Sequence, residues 1–359
     1  MSETYTISVI IPFYNAKIFL NECINSLLNQ DFDEPYEIIM IDDGSTDNGV
    51  KIIKENYLSS IKLISHKTNI GPASARNSGL KIASGEFIYF LDVDDNIAKD
   101  TFKTLYREAK KDNLDLVMSD KIVIKKNKIL RNNFFLYDND KVFSGQEITD
   151  EIRERLYNPL YSDGLLGITG RLFKRSIIKK NNINFREEMR YLEDETFSWD
   201  VLAYCNKVKY IRKQLYFYHI YPNLSTGISE GIRNFPISNF IIAKNSVENC
   251  FRKKGLSSEE STKLSDQAFI YFIIGALVSF CRSIILKKIN LQEGKKNLRK
   301  LISDILIKKE VEKAVKNYLC SEKESKWIPR AINWKMNKLL EFMCFRRAKQ
   351  IISLRQNSH

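Results

Sequence analysis

No two of the six cysteines form a CxxC pair, and none stands beside a histidine: Cys23, Cys205, Cys250, Cys281, Cys320 and Cys344 are scattered over 359 residues. That excludes a disulfide framework and a zinc site of the usual spacing, and it points to a reducing compartment. Long apolar runs are missing too. One apolar uncharged stretch, Ala268 to Cys281, ends at Arg282 after 14 residues, a length suited to a buried core helix rather than a membrane span. The polar N-terminus enters a strand directly, so no signal peptide is expected. No strand leads into G-x-G-x-x-G or into a phosphate loop with its Lys, which disfavours the usual dinucleotide and triphosphate sites. A calcium loop also fails. Asp92, Asp94 and Asn96 suit its first three positions, but Ile97 stands where Gly is required and Lys103 where the closing Glu belongs.

Charge is present but unevenly placed. The net charge is +13, yet up to Asn239 there are 32 Lys and Arg against 33 Asp and Glu, and beyond it 25 against 11. Charge alone therefore predicts a boundary near residue 235, with residues 1–235 as one domain and 236–359 as a basic helical region. The partner of that region is expected to be anionic, a membrane surface ahead of nucleic acid. From Lys326 onward, Ile328, Ile332, Met336, Leu339 and Met343 fall on one helical face, with eight basic residues and Glu341 around them. Such a helix suits the plane of a membrane; an ordinary packed helix with a solvated basic face explains it equally well.

In chain order, strands alternate with helices. Ile7 to Pro12, Tyr36 to Ile41, Ile61 to Ile64 and the run from Phe87 read as strands. Leu20, Cys23, Ile24, Leu27 and Leu28 recur at helical spacing. Ser45 or Thr46 is positioned to cap a helix carrying Val50, Ile53 and Tyr57. Pro72 suits the first turn of a helix carrying Arg76, Asn77 and Leu80. Phe102 to Ala109 reads as a further helix, Asp115 to Met118 as a strand, and Lys121 to Leu136 as a ribbon. Alternation of this kind predicts an α/β fold with a doubly wound, mostly parallel sheet and a helical C-terminal extension. It also makes the polar clusters converge. Pro12-Phe13-Tyr14-Asn15, Asp42 to Asp47 and Asp92 to Asp95 each follow the carboxyl end of a strand, where open α/β sheets bind ligands. The last cluster ends a run of five apolar residues. Three carboxylates there repel one another and call for a cation, for which a divalent ion shared with substrate phosphates is one answer and a solvated acidic turn the other.

SVIIPFYN, IDDGSTD, NIGPASARNSGL, GEFIYFLDVDD and LEDETF, in this order and spacing, resemble family 2 glycosyltransferases of the GT-A fold over roughly residues 5 to 225. The resemblance implies an inverting transfer from a nucleotide diphosphate sugar, expected to be UDP-linked, to a hydroxyl of a surface glycan or lipid-linked glycan. It implies a base pocket from Pro12, Tyr14, Asn15 and Asp43, with Tyr14 stacking on the base and Asp43 accepting its imide N–H. Asn69, Gly71 and Arg76 would approach the nucleotide, although Arg76 also suits a salt bridge to Asp92 or Asp43. Asp92 and Val93 would lie at the ribose, and Asp94 would hold Mn²⁺ or Mg²⁺ at the diphosphate. Asp194 matches the general base, facing the anomeric carbon from the side opposite the diphosphate. Acidic residues that merely complement a helix dipole are the bland reading of Glu193-Asp194-Glu195. Glu193, Gly170 and Arg171 would lie on the acceptor side, the latter two in a loop Gly164-x-x-Gly167-x-x-Gly170 before Leu172-Phe173. The resemblance places an Arg or His from the segment Tyr216 to Thr226 near the diphosphate or the metal. His219 is that candidate, a departure from Arg. No nucleic-acid partner is expected, and the location expected is cytoplasmic, peripheral on the inner membrane face. Two other classes compete. A sugar nucleotidyltransferase would need a basic, glycine-rich loop near the N-terminus, which PFYN does not supply. A non-catalytic glycan-binding module would not need both Asp94 and Asp194.

Overall fold

Apolar runs long enough to be buried on both faces build the centre of the protein, seen in a computed structural model that describes residues 5–125, 128–131, 136–157, 166–221, 236–321 and 324–357. Strands β1 (Ile7–Phe13), β2 (Tyr36–Asp42), β3 (Ile61–Ser65) and β4 (Phe87–Phe90) are parallel neighbours in the order β3-β2-β1-β4. Every residue of β1 and β4 is buried, as near-continuous apolar strands in a helix-covered sheet must be. Beyond them come β5 (Asn96–Ile97), β6 (Leu116–Lys125), β7 (Lys128–Arg131), β8 (Lys141–Ser144), β9 (Arg171–Lys174) and β10 (Lys207–Ile220). The full sheet reads β3-β2-β1-β4-β9-β6-β10-β5, with β7 on β6 and β8 on β10.

Helices α1 (Leu20–Leu28), α2 (Gly49–Asn56), α3 (Pro72–Ile82) and α4 (Thr101–Lys111) connect the first strands. They are followed by α5 (Gln146–Tyr157), α6 (Arg175–Lys180) and α7 (Glu193–Leu202). In α1, Leu20, Cys23, Ile24 and Leu27 are buried, whereas Leu28 of the predicted stripe is 39% exposed. Two local features depart from the sequence reading. Ser45 and Thr46 do not cap α2: its N-cap is Asn48, and the Ser45 hydroxyl and the Thr46 N–H instead bond to Asn15. Residues 171–174, assigned no strand from sequence, form β9, inserted antiparallel between β4 and β6.

Two compact units emerge. One comprises Met1–Ile148, Asp163–Met189 and Glu193–Leu224; the other comprises Thr149–Ser162, Arg190–Leu192 and Ser225–His359. The second is built on α8 (Ile237–Lys253), α9 (Ser258–Ile285), α10 (Leu291–Leu306), α11 (Lys309–Asn317), α12 (Trp327–Asn333) and α13 (Asn337–Asn357). Helix α9 is long and apolar enough to cross a membrane, but two-thirds of its apolar window is buried by its neighbours. Ile273, Leu277 and Phe280 are all buried, as a core helix requires. The single amphipathic helix expected after Lys326 is not formed. The chain breaks between α12 and α13, where Lys335 takes a left-handed φ of 54°. The buried face accordingly runs through Ile328, Ala331, Ile332, Leu340, Met343 and Cys344, while Met336 is 47% exposed and Leu339 is half-buried.

Candidate active site

Three loops meet at the carboxyl edge of the parallel strands, and hydrogen bonds lace them together. Asn15, with a left-handed φ of 47°, accepts from the Thr46 N–H at 2.8 Å, and its own N–H donates to Ser45 Oγ at 2.9 Å. Asn15 thus fastens the loop after β1 to the loop after β2. Its neighbour Tyr14 stays 47% exposed, a platform open to a planar ring. Gly44, at φ 75°, lets the second loop pass against the backbone of Thr68, where a Cβ would stand 2.5 Å from the Thr68 carbonyl carbon.

Asp43 is buried and already employed. Its carboxylate accepts the Gly71 N–H at 2.8 Å and the Ile70 N–H at 3.1 Å, and lies 2.8 Å from Nδ1 of His66. His66 Nε2 is in turn 2.9 Å from Ser78 Oγ on α3. Three of the carboxylate's four acceptor positions are occupied, leaving one for a ligand. His66 was missed from sequence, although a histidine just past a strand end, one of only three in the chain, was a signal worth reading. Asn69 lies exposed on this loop and Gly71, at φ 104°, begins α3.

Arg76 is the hub. Almost wholly buried on α3, it donates to Asp92 Oδ1 at 3.0 Å and to Glu193 Oε1 at 3.5 Å, and its guanidinium lies 5.4 Å from the Phe185 ring centroid. Of the two salt-bridge partners weighed, it takes Asp92. Burial works against its charge, but Asp92, Glu193 and Asp194 outweigh it and raise its pKa. Its Nε is buried without a hydrogen-bond partner. Glu193 shows the opposite balance. Burial first, and the charge of Asp194 next, lift its pKa to about 7 despite Arg76.

Helix α7 carries Glu193 and Asp194 to this edge because its aromatic side is boxed in. Phe197 stacks on Phe185 with centroids 4.1 Å apart and meets Phe90 and Phe173 edge-on. Asp194 Oδ1 accepts the Glu195 N–H at 2.8 Å, and Ser198 Oγ donates to the Gly167 carbonyl at 2.9 Å. Gly170, at φ 69°, accepts the Ser119 N–H through its carbonyl at 3.0 Å. The Arg171 guanidinium turns back to the carbonyls of Thr169 and Leu166, and the residue is buried. It braces its own loop. Gly164 lies outside the described residues, as does the end of the segment carrying His219.

On the acidic turn, Asp92, Val93 and Asp94 are partly exposed. Asp95, assigned no role from sequence, is the structural member: it accepts the Tyr216 hydroxyl at 2.6 Å and the His219 N–H at 2.8 Å. Burial, with Asp92 and Asp94 behind it, raises its pKa well above the carboxylate range. The His219 ring stacks near Tyr221 at 5.8 Å, with Nε2 3.4 Å from Asn96 Oδ1, and burial lowers its pKa. Among the described residues no three His, Cys, Asp or Glu side chains gather to hold a metal. Asp95 is committed to Tyr216 and His219. The described residues therefore do not by themselves make a resident ion site; they offer the Asp94 carboxylate to an ion carrying its other ligands with it.

The Glycosyl transferase family 2 profile matches residues 8–180. The chain is 30% identical over 260 residues to the cholesterol galactosyltransferase of Borreliella burgdorferi, covering 71% of this chain and 70% of that one. It is 33% identical over 221 residues to the poly(ribitol-phosphate) beta-N-acetylglucosaminyltransferase TarP of Staphylococcus aureus, covering 60% and 63%. Against two glycosyltransferases of Bacillus subtilis, EpsJ and EpsH, the match spans 63% and 62% of their length. In structure the chain resembles S. aureus TarS 1–349 crystallised with UDP-GlcNAc, with a TM-score of 0.69 and 19% identity over 96% of this chain and 92% of that one. That likeness supports a GT-A fold.

Proposed function

The chain belongs to glycosyltransferase family 2, and from that premise we propose that it moves a sugar, with inversion, from a UDP-sugar to a hydroxyl of a teichoic-acid-type or similar surface glycan. The observation that carries this reading is the bridge made by Arg76. One guanidinium links Asp92, on the donor-side turn, to Glu193, beside Asp194 at the start of α7. An inverting transfer needs the base held rigidly relative to the donor, on the face opposite the leaving group. A buried cation joining the two loops provides that rigidity.

In this reading Tyr14 stacks on the uracil ring and Asp43 uses its remaining acceptor position for the imide N–H, beside the buried Pro12 and the brace at Asn15. Asn69 and Gly71 border the nucleotide, and Asp92 and Val93 lie at the ribose. Asp194 takes the proton of the acceptor hydroxyl. Glu193 positions Arg76, Gly170 and Arg171 shape the acceptor-side loop, and His219 stands behind the acidic turn. A Mn²⁺ or Mg²⁺ ion arriving with the donor would draw one ligand from Asp94, with His219 a second candidate, and would offset charge on the departing diphosphate when bound. The UDP-sugar assignment follows the ligand of TarS, and the acceptor class follows the names of the TarP and poly(ribitol-phosphate) beta-glucosyltransferase relatives. Six free thiols suit the cytoplasm, where we place the protein.

The test is a panel of nucleotide sugars scored for hydrolysis and for transfer to poly(ribitol phosphate). Turnover confined to UDP-sugars is the expected result. Tight binding without turnover on any donor would replace the enzyme by a glycan-binding module.

A further inference from the structure

We propose that the corner between α12 and α13 docks on an anionic lipid bilayer. Around the break at Lys335 three large aromatic side chains lie exposed. Trp327 is 48% exposed, Trp334 53% and Phe342 62%. The two indoles lie 6.5 Å apart, and the Arg330 guanidinium sits 5.4 Å from the Trp327 ring centroid. Indole rings with an apolar body and a polar edge suit the level of lipid headgroups, and arginine stacked on one brings a cation to the same depth.

Charge selects the occupant. Lys326, Arg330, Lys338, Arg346 and Lys349 are exposed around this corner. Of the acidic groups near them, Glu341 is paired with Arg299 at 2.9 Å, and Glu324 accepts the Tyr318 hydroxyl and the Ser321 N–H at 3.0 Å. An open cavity of about 430 Å³ is lined by Lys326, Arg346 and Arg347 against the single carboxylate of Glu324, with Trp327 and the buried Met343 as its apolar part. A phosphate-bearing headgroup over an apolar interior matches that arrangement. A neutral protein surface offers no charge complementary to the exposed Lys326, Arg330, Lys338, Arg346 and Lys349.

The chain carries its own reporters. Of three tryptophans, Trp199 is fully buried and the other two lie on the proposed surface. The full-length protein is mixed with vesicles of phosphatidylcholine alone or with phosphatidylglycerol, and followed by flotation and tryptophan emission. Binding and a blue shift are expected only with the anionic vesicles, and should fade as salt rises. Arg330→Gln with Arg346→Gln should weaken binding roughly 25-fold, about fivefold per charge. Trp327→Ser with Trp334→Ser should abolish the blue shift while circular dichroism stays native. Three results overturn the proposal: equal binding to both vesicle types, variants that bind as the parent does, or a concentration-dependent blue shift without vesicles, which would make this corner an interface between two copies of the chain.

Discussion

Glu193 and Asp194 are adjacent in sequence but not in chemistry. Glu193 is drawn to Arg76 and titrates at about 7 against an ordinary 4.5, with burial as the main cause. A raised carboxyl pKa means that the folded state holds the extra proton between those values. Its stabilising contribution is therefore complete below about 4.5 and lost as pH rises through 7, a swing of roughly 3 kcal/mol at most. Glu193→Gln should flatten the fall in stability between pH 5 and 8 relative to the parent, measured by urea unfolding at each pH. Its turnover should drop modestly. Asp194→Asn should instead lower kcat by roughly a hundred- to ten-thousand-fold with donor Kd almost unchanged. Near-normal turnover in Asp194→Asn beside a dead Glu193→Gln would move the base one residue back. Asp94 has a separate signature. Because no resident ion site is built among the described residues, Mn²⁺ alone should leave Tm unchanged, whereas Mn²⁺ with donor should raise it. EDTA should abolish transfer, and Asp94→Ala should remove both the joint Tm shift and the activity.

At the scale of elements, the site depends on how closely α3 lies on the sheet. A Cβ at Gly79 would stand 2.5 Å from Ile10 Cγ2 of β1 and 3.0 Å from Ile41 Cδ1 of β2. Gly79→Ala must shift α3 or repack Ile10 and Ile41 beneath it, and Arg76 rides on that helix. The expected cost is about 1–3 kcal/mol of stability, with a raised donor KM because Arg76 no longer reaches Asp92 squarely. Thermal unfolding and a donor titration would show both effects; an unchanged KM would mean that Arg76 has slack. The alternation of strands and helices around α3 was readable from the apolar periods, since Ile7, Ile38 and Phe87 begin runs that only a covered sheet can bury. β9 was not readable. Four residues between β4 and β6 carry no period long enough to announce a strand, and their pairing is set by partners more than fifty residues away.

At the scale of the whole molecule, the last helices belong to a core. Ile328, Ile332, Leu340 and Met343 are buried, each contributing on the order of 1.5–3 kcal/mol. Removing residues 326–359 therefore takes away as much as a typical domain's net stability, about 5–15 kcal/mol. The truncated chain is expected to lose cooperative melting of its helical signal in circular dichroism. Clean retention of that transition would show α12 and α13 to be an appendage. Where the sequence suggested one amphipathic helix after Lys326, the turn at Lys335 divides it into α12 and α13.

What the sequence determined alone was whatever local pattern can carry: the α/β class, the position of the acidic turn, the excess of basic charge in the last third, and the family signature itself. Each is written in neighbouring residues, through side-chain period, strand-end polarity or composition. What only the tertiary structure decided was who meets whom. Arg76 chooses Asp92 and Glu193, 16 and 117 positions away, Asp43 is claimed by His66 and the amides of Ile70 and Gly71, and Asp95 is claimed by Tyr216. The physical reason is that burial makes a charge or a hydrogen-bonding group left unpaired costly, and in this fold partners are brought together by sheet order and helix packing rather than by chain order.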